Sequence, residues 1–256
     1  MTAADDADLS RAVAQYALRL GDDALILAQR LSWWCSRAPE LESDVAFANI
    51  ALDQLGVARA LLSYAGEPAG RDEDSLAYLR EDREYRNCLL VELPDRDFAR
   101  TVTKLLFVAA YQVPLYAGLA GSVDDRLAGV AGKAVKESAY HLEHARLWTL
   151  RLGDGTAESH RRMQAAVDEL WPYTAELFEA DAVTSRLATA GVGVDPAGLR
   201  PAWQASVAPV LAEATLATPT TGWAPSGGRH GRHTEELAYL LAEMQVVHRA
   251  HPGARW

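Results

Sequence analysis

Two segments of this chain carry polar side chains at the spacing that helical metal sites use. His141 follows Ser138 by three residues and Glu137 by four, and Gln54 precedes Val57 by three. A helical di-iron site takes a Glu from each of two helices and a Glu-x-x-His pair from each of two others. No Glu or Asp in the sequence has a His three residues later. The spacing is present, but most of the side chains that would bind iron are absent.

The elements that must position these residues are predicted to be helices throughout. Ala, Leu, Glu and Arg dominate the long segments, and runs of β-branched residues are scarce. Helices are predicted over residues 9–36, 39–64, 75–84, 97–120, 124–152, 157–190 with a break at Pro172, 199–217 and 234–250, with a surface loop at 218–233. The fold class is therefore all-α, as one domain over residues 1–256 with a core bundle at about 9–152 and additional helices at about 157–250.

The second predicted helix has two apolar faces. The first consists of Leu41, Val45, Ala48, Leu52 and Leu55, and the second of Phe47, Ile50, Gln54, Val57, Leu61 and Tyr64. Because both follow helical periodicity, burial over most of this helix is predicted.

Each of the four long helices places a neutral polar residue within an apolar stripe. These residues are Gln29, Gln54, Gln112 and, on one helix, Ser138 with His141. One interpretation is a metal centre that has lost its charged ligands, because amide oxygens bring no charge to balance two iron ions. The other is a set of unrelated buried polar residues, each hydrogen-bonded to its neighbours; Gln29 and Gln112 fit this second interpretation better.

Two further groups of residues offer weaker candidates for chemistry. Glu137, His141 and His144 form an alternative ligand set, although ion pairs on the helix surface, including one between Lys133 and Glu137, are the simpler explanation. Ser226 and His233 bound a glycine-rich basic loop, SGGRHGRH, that could hold a phosphate or the tail of coenzyme A. That loop lacks the Walker spacing, so a mobile or partner-binding loop is the favoured interpretation.

Composition excludes several classes of function. The net charge of −10 and the absence of a Lys/Arg cluster argue against nucleic-acid binding. No run of about 18 uncharged apolar residues predicts a membrane span. The acidic start lacks the apolar core of a secretory signal, and Cys35 and Cys88 are far apart, so a cytoplasmic protein with reduced thiols is expected.

Several long segments together point to a known family. They are RLGDDALILAQRLSWW, APELESDVAFANIALDQLGVARALLSYAGE, KESAYHLEHARLWTLRLGDGT, ELWPYTAELFEAD and the closing HTEELAYLLAEMQ…PGARW. In these segments the chain resembles the C subunit of phenylacetyl-CoA epoxidase, a bacterial multicomponent oxygenase, from about Tyr16 to Trp256. The resemblance implies a ferritin-like four-helix bundle with additional packed helices.

The resemblance also implies what the polar stripe residues are. In that family the sister A subunit holds the di-iron centre and binds the thioester, while the C subunit is regarded as structural. Against the sister's motif Asp-Glu-x-Gly-His-Gly, Gln54 stands at the ligand Glu and Val57 at the ligand His. Against its Lys-Glu-Glu-x-x-His motif, Ser138 stands at the ligand Glu and His141 is retained. No catalytic or metal-binding residue is therefore expected in this chain.

The expected function is that of a non-catalytic subunit in aerobic phenylacetate catabolism. It would pair with the homologous catalytic di-iron subunit and with other subunits of the complex, and the iron would lie in the partner. Two alternatives stay open. One is a ferritin-like oxidase or hydroxylase that binds metal through an unusual ligand set, and the other is a helical scaffold protein unrelated to oxygenases.

Overall fold

The computed structural model describes residues 3–254, and for residues 3, 4 and 6 it describes the backbone alone. Trp256, where the resemblance ends, lies outside the described residues. The α-helices are α1 (Ala3–Ser32), α2 (Leu41–Gly66), α3 (Glu73–Tyr78), α4 (Leu89–Glu92), α5 (Phe98–Leu119), α6 (Asp125–Gly153), α7 (Ala157–Leu170), α8 (Ala182–Thr189), α9 (Arg200–Glu213) and α10 (Glu235–Ala250). No strand occurs within residues 3–254, and the predicted all-α, ferritin-like fold class is confirmed.

Contacts between Cα atoms divide the chain into two compact units. The first comprises Met1–Pro94 and Gly227–Trp256, and the second comprises Asp95–Ser226. The first unit is therefore discontinuous in sequence, and the second is inserted into it. The organisation as one domain over residues 1–256 stays a prediction.

In the first unit, α1 and α2 form an antiparallel hairpin. Trp34, just after α1, packs on Phe47 near the start of α2, with ring centroids 6.0 Å apart. Further along, a Cβ atom on Gly21 would lie 2.9 Å from Cδ2 of Leu62. Because Gly21 has no side chain, the two helices can approach closely there. Helix α1 runs through this glycine without interruption.

In the second unit, α5 is the central helix. It packs against α6, α7 and α9, and most of its residues are buried. Phe98, at its start, contacts Trp148 near the end of α6 with ring centroids 4.9 Å apart, so these two helices are also antiparallel. Trp203 of α9 donates a hydrogen bond of 2.9 Å to the carbonyl oxygen of Phe107. Pro114 lies within α5 and does not end it.

Helix ends follow from local chemistry that the sequence displays. Asp97 and Asp124 accept hydrogen bonds from the first turns of α5 and α6, as expected of N-cap aspartates. The predicted break at Pro172 is present, because a 3₁₀ helix (Trp171–Phe178) separates α7 from α8. The single predicted helix at 75–84 is wrong in detail, since α3 ends at Tyr78 and a 3₁₀ turn (Asp82–Glu84) follows.

The prediction that α2 is buried over most of its circumference is wrong. The face with Phe47, Gln54 and Val57 is buried. On the other face Leu41, Val45 and Leu52 are 76%, 52% and 63% exposed. Periodicity shows that a face is apolar, but it does not show whether the same chain supplies the surface that covers it.

Two described helical segments are long and apolar enough to cross a membrane. They are Leu41–Ala69 and Phe98–Leu119, and 44% and 78% of their respective 18-residue apolar stretches are buried inside the protein. Core helices of globular proteins meet the same criterion.

Candidate functional site

Helix α2 places Gln54 and Val57 inside the first unit. Both side chains are buried, on the same face as Phe47, Ile50 and Leu61. The spacing of three and four residues along this face is the helical repeat, and that repeat positions Gln54 among apolar neighbours. The buried amide carries no formal charge, and Val57 has no donor or acceptor in its side chain.

Helix α6 places Ser138 and His141 inside the second unit. Both are buried on the face that also carries Ala134 and Ala145. Gln112 is buried on α5, the helix against which α6 packs. Gln29, in the first unit, is only half-buried. The structure thus places Ser138, His141 and Gln112 in one unit, and Gln54, Val57 and Gln29 in the other.

Glu137 and His144, four residues before and three residues after His141, lie beside it on α6 and are partly exposed. The carboxylate of Glu137 is 3.1 Å from the ammonium group of Lys133, which is the helix-surface ion pair that their spacing favours. Burial lowers the pKa of His144 below 6.5, and the nearby charge of His141 lowers it further. In the part of the chain that the structure describes, no three His, Cys, Asp or Glu side chains form a group that could hold a metal ion.

The side chains at the four implied ligand positions do not fit a di-iron centre. Gln54 and Ser138 would offer neutral oxygens, Val57 offers no ligand atom, and His141 is one imidazole. Two iron ions need several carboxylates to balance their charge, as in the Glu and Glu-x-x-His sets of helical di-iron proteins. We therefore derive no reaction step through a metal bound at these positions.

The segment predicted to be a surface loop divides into residues 218–226, which are mostly exposed as predicted, and residues 227–233, which form a structural connection within the first unit. Gly227 and Gly228 are buried. Arg229 forms a bidentate pair with Asp23 of α1, at 2.9 and 2.6 Å, and donates a further bond of 3.0 Å to the carbonyl oxygen of Arg86. These contacts contradict the interpretation of residues 226–233 as a mobile loop, while a partner-binding role for them stays a prediction.

At its end, the same segment contacts a second buried carboxylate, that of Glu92. Nδ1 of His233 lies 2.7 Å from the carboxylate of Glu92, whose other oxygen accepts bonds from the backbone N–H and the hydroxyl of Thr234, at 2.7 and 2.8 Å. Asn87 also donates to Glu92, at 2.8 Å. Sequence reasoning missed this network, because Glu92 and His233 are 141 residues apart and neither belongs to a recognisable motif.

Comparisons with known proteins agree with the resemblance. The sequence profile of a family described as "Phenylacetic acid catabolic protein" matches residues 1–256. The chain is 50% identical over 242 residues to a protein of Escherichia coli (strain K12) that is named as the C subunit of 1,2-phenylacetyl-CoA epoxidase. The match covers 94% of this chain and 98% of that relative. On both findings, this chain belongs to the phenylacetic acid catabolic protein family.

Proposed function

We propose that this chain is a non-catalytic, structural subunit of a di-iron monooxygenase complex that epoxidises the aromatic ring of phenylacetyl-CoA. A relative that is named as the C subunit of such an epoxidase, with nearly complete coverage of both sequences, supports a role as a subunit in phenylacetate catabolism. The observation that carries the non-catalytic role is the set of buried side chains at the implied ligand positions. Gln54, Val57, Ser138 and His141 are all buried, and none of them is a carboxylate.

The physical reason is the cost of buried charge. An isolated carboxylate in an apolar interior is strongly unfavourable unless a metal ion or a cation compensates it. Amide, hydroxyl and imidazole groups can be satisfied by hydrogen bonds alone. A subunit with these side chains therefore keeps stable helices without iron. Oxygen activation, electrons derived from NADPH and the di-iron centre then belong to the partner subunits.

The exposed face of α2 supports a docking role for this protein. Leu41, Val45, Leu52 and the partly exposed Leu55 follow one another at helical spacings on that face. A contiguous exposed apolar patch of this kind is typical of protein interfaces. The catalytic A subunit, as a homologous helical protein, could offer an apolar helix face in return. The complex is proposed to act in the cytoplasm.

Co-purification with the catalytic subunit tests this function. Replacing Val45 and Leu52 with Lys puts two charges on the exposed α2 face, and we expect the double variant to lose the partner. Because both positions are exposed, the free energy of unfolding of the isolated chain should change by no more than about 0.5 kcal/mol per substitution. The matched control is Val246→Lys, at a residue of α10 that is 56% exposed.

Two outcomes of the co-purification experiment would contradict the proposed function. If the V45K/L52K variant retains the partner as well as the control does, the α2 face is not the docking surface. If the unaltered chain does not co-purify with the di-iron subunit, the alternative of an unrelated helical scaffold is favoured.

A further inference from the structure

The second unit contains a half-open cleft lined by arginines. It lies between the N-terminal turn of α5 and the exposed side of α7, and its volume is about 210 Å³. Its charged lining residues are Arg96, Asp97, Arg100, Arg161, Arg162 and Glu169. None of the residues at the implied metal positions belongs to this cleft.

Positive charge exceeds negative charge in the lining. Four guanidinium groups face two carboxylates, an excess of two charges in a chain whose net charge is −10. Glu169 is shared, because Arg96 lies 3.6 Å from one of its oxygens while Arg100 pairs with the other. Arg162 is 4.0 Å from Asp97. A cluster of this sign is unexpected on a protein surface that is otherwise acidic.

A third carboxylate contacts the cluster from outside the lining. Glu158 accepts hydrogen bonds from Arg161, at 3.0 and 2.8 Å, and from Arg162, at 2.7 Å. These bonds lower the pKa of Glu158 to about 2, so it stays ionised. Even with Glu158 included, the arginines outnumber the carboxylates by one.

Arg100 forms the least exposed part of the cluster. Only 5% of its side chain is exposed to solvent. Burial lowers the pKa of Arg100, and the charge of Arg96 lowers it further. The carboxylates of Asp95 and Asp97 act in the opposite sense, and a bound anion would add to their effect. The cleft is therefore electrostatically suited to a ligand that brings negative charge.

We propose that this cleft is a binding site for a phosphate group of a small molecule. Guanidinium groups donate parallel hydrogen bonds in a planar fork that matches the oxygens of a phosphate. The cleft volume of about 210 Å³ is well above the minimum that a single water needs, so it admits a phosphate together with some of its hydration water. A concave site of this size fits a single compact anion better than an extended acidic peptide.

Two sources of the phosphate are chemically equivalent at this site. One is free inorganic phosphate. The other is a phosphate group of a coenzyme A thioester, and this source rests on the function proposed above. The two differ in the rest of the ligand, which can add contacts outside the cleft.

Titration calorimetry on the full-length chain tests the proposal. The probes are inorganic phosphate and coenzyme A, each measured at constant ionic strength with chloride as the competing anion. The test variant carries Arg96→Gln and Arg161→Gln, whose side chains are 67% and 66% exposed, so the fold does not depend on them. The control is Arg126→Gln, at an exposed arginine of α6 in the same unit.

We expect the unaltered chain and R126Q to bind phosphate, and the R96Q/R161Q variant to bind it at least tenfold more weakly. If coenzyme A binds more tightly than phosphate, and the R96Q/R161Q variant binds it correspondingly more weakly, the ligand is assigned to the thioester. If both probes bind with equal affinity, the ligand is assigned to free phosphate. No saturable binding of either probe, or an equal loss in R126Q, overturns the site. So does binding of an acidic peptide in the cleft without any binding of phosphate.

This experiment fails or succeeds independently of the proposed function. Docking of the catalytic subunit is tested on the exposed face of α2, which belongs to the first unit. The arginine cleft belongs to the second unit. If phosphate binding is lost while co-purification is retained, or co-purification is lost while phosphate binding is retained, the two proposals are distinguished.

Discussion

Asp22 and Arg80 form an ion pair inside the first unit, where 0% and 2% of the two side chains are exposed. One of its hydrogen bonds is 2.9 Å long, and Asp22 also accepts a bond of 2.8 Å from the backbone N–H of Arg86. The guanidinium of Arg80 stacks on the ring of Tyr85, 4.0 Å from its centroid. Such a pair contributes little net stability compared with apolar residues, but each charge depends on the other.

The first prediction concerns the dependence of the buried Arg80 charge on Asp22. Asp22→Ala leaves the guanidinium of Arg80 buried without its carboxylate, and we expect the free energy of unfolding to fall by about 3–5 kcal/mol. Urea denaturation followed by circular dichroism measures it. The control is Asp8→Ala, which removes an exposed ion pair with Arg11 and should cost less than about 1 kcal/mol. Similar losses in the two variants would contradict the prediction.

His144 offers a prediction with a defined pH window. Its pKa in the folded protein is below 6.5, so folding favours the neutral imidazole. The stability that this provides is complete above pH 6.5 and is lost as the pH falls below 6.5 towards the folded pKa, because the unfolded chain then binds the proton first. His144→Gln should remove this part of the pH dependence, as measured by thermal unfolding between about pH 5 and 8.

NMR titration separates the two causes of that shift. His141→Asn removes the second cause, so the pKa of His144 should rise but stay below 6.5, because burial is the larger cause. His251→Gln, at an exposed histidine of the first unit, is the control and should leave the titration of His144 unchanged. A pKa of His144 at or above 6.5 in the unaltered chain would exclude this account.

At the scale of elements, residues 227–234 connect α1, the segment before α4 and α10. The connection requires close backbone approach, since a Cβ on Gly228 would lie 2.2 Å from the carbonyl oxygen of Asn87 and 3.2 Å from the amide nitrogen of Leu89. Backbone atoms cannot move aside as a flexible side chain can. A glycine is therefore required at this point.

Replacing this glycine tests the connection. Gly228→Ala should lower the free energy of unfolding by about 1–3 kcal/mol through overpacking, as measured by urea denaturation. Gly222→Ala is the matched control in the same stretch of sequence, because a Cβ there meets no atom within 4 Å. We expect the control to change stability by less than about 0.5 kcal/mol. If Gly228→Ala is equally neutral, the segment is not held as described.

The elements differ in how far the sequence alone could predict them. The ends of α5 and α6 were predictable, because aspartate caps and apolar periodicity act locally. The exposed face of α2 was not, since an apolar stripe is the same in sequence whether this chain or another covers it. The connection at residues 227–234 was not predictable either, because its glycines and arginines are typical of loops and their partners are far away in sequence.

The candidate site, too, could be predicted only in part from the sequence. Sequence periodicity indicated that Gln54, Ser138, His141 and Gln112 lie on apolar faces, and each is buried. Their interpretation as former metal positions depends on the family resemblance and stays a prediction. The arginine cleft was missed, because Arg96 and Arg100 precede Arg161 and Arg162 by about sixty residues and only the fold brings them together.

At the scale of the whole molecule, the main prediction concerns metal content. The chain purified alone from iron-replete cells should contain iron only at background level, because the implied ligand positions lack carboxylates. Elemental analysis by mass spectrometry measures iron and manganese, with the catalytic subunit purified in the same way as the positive control. An iron content that approaches a di-iron complement would overturn the non-catalytic role and direct attention to Glu137, His141 and His144.

The discontinuous first unit has a consequence for the order of events at the ribosome. The whole of Asp95–Ser226 is synthesised before Arg229 and His233 are added. Until then Asp23 lacks Arg229 and Glu92 lacks His233, and burying either carboxylate with only its remaining hydrogen bonds would be less favourable. The core of the inserted unit therefore needs no residue synthesised after Ser226, while the unit that contains the N-terminal hairpin closes last, when α10 arrives.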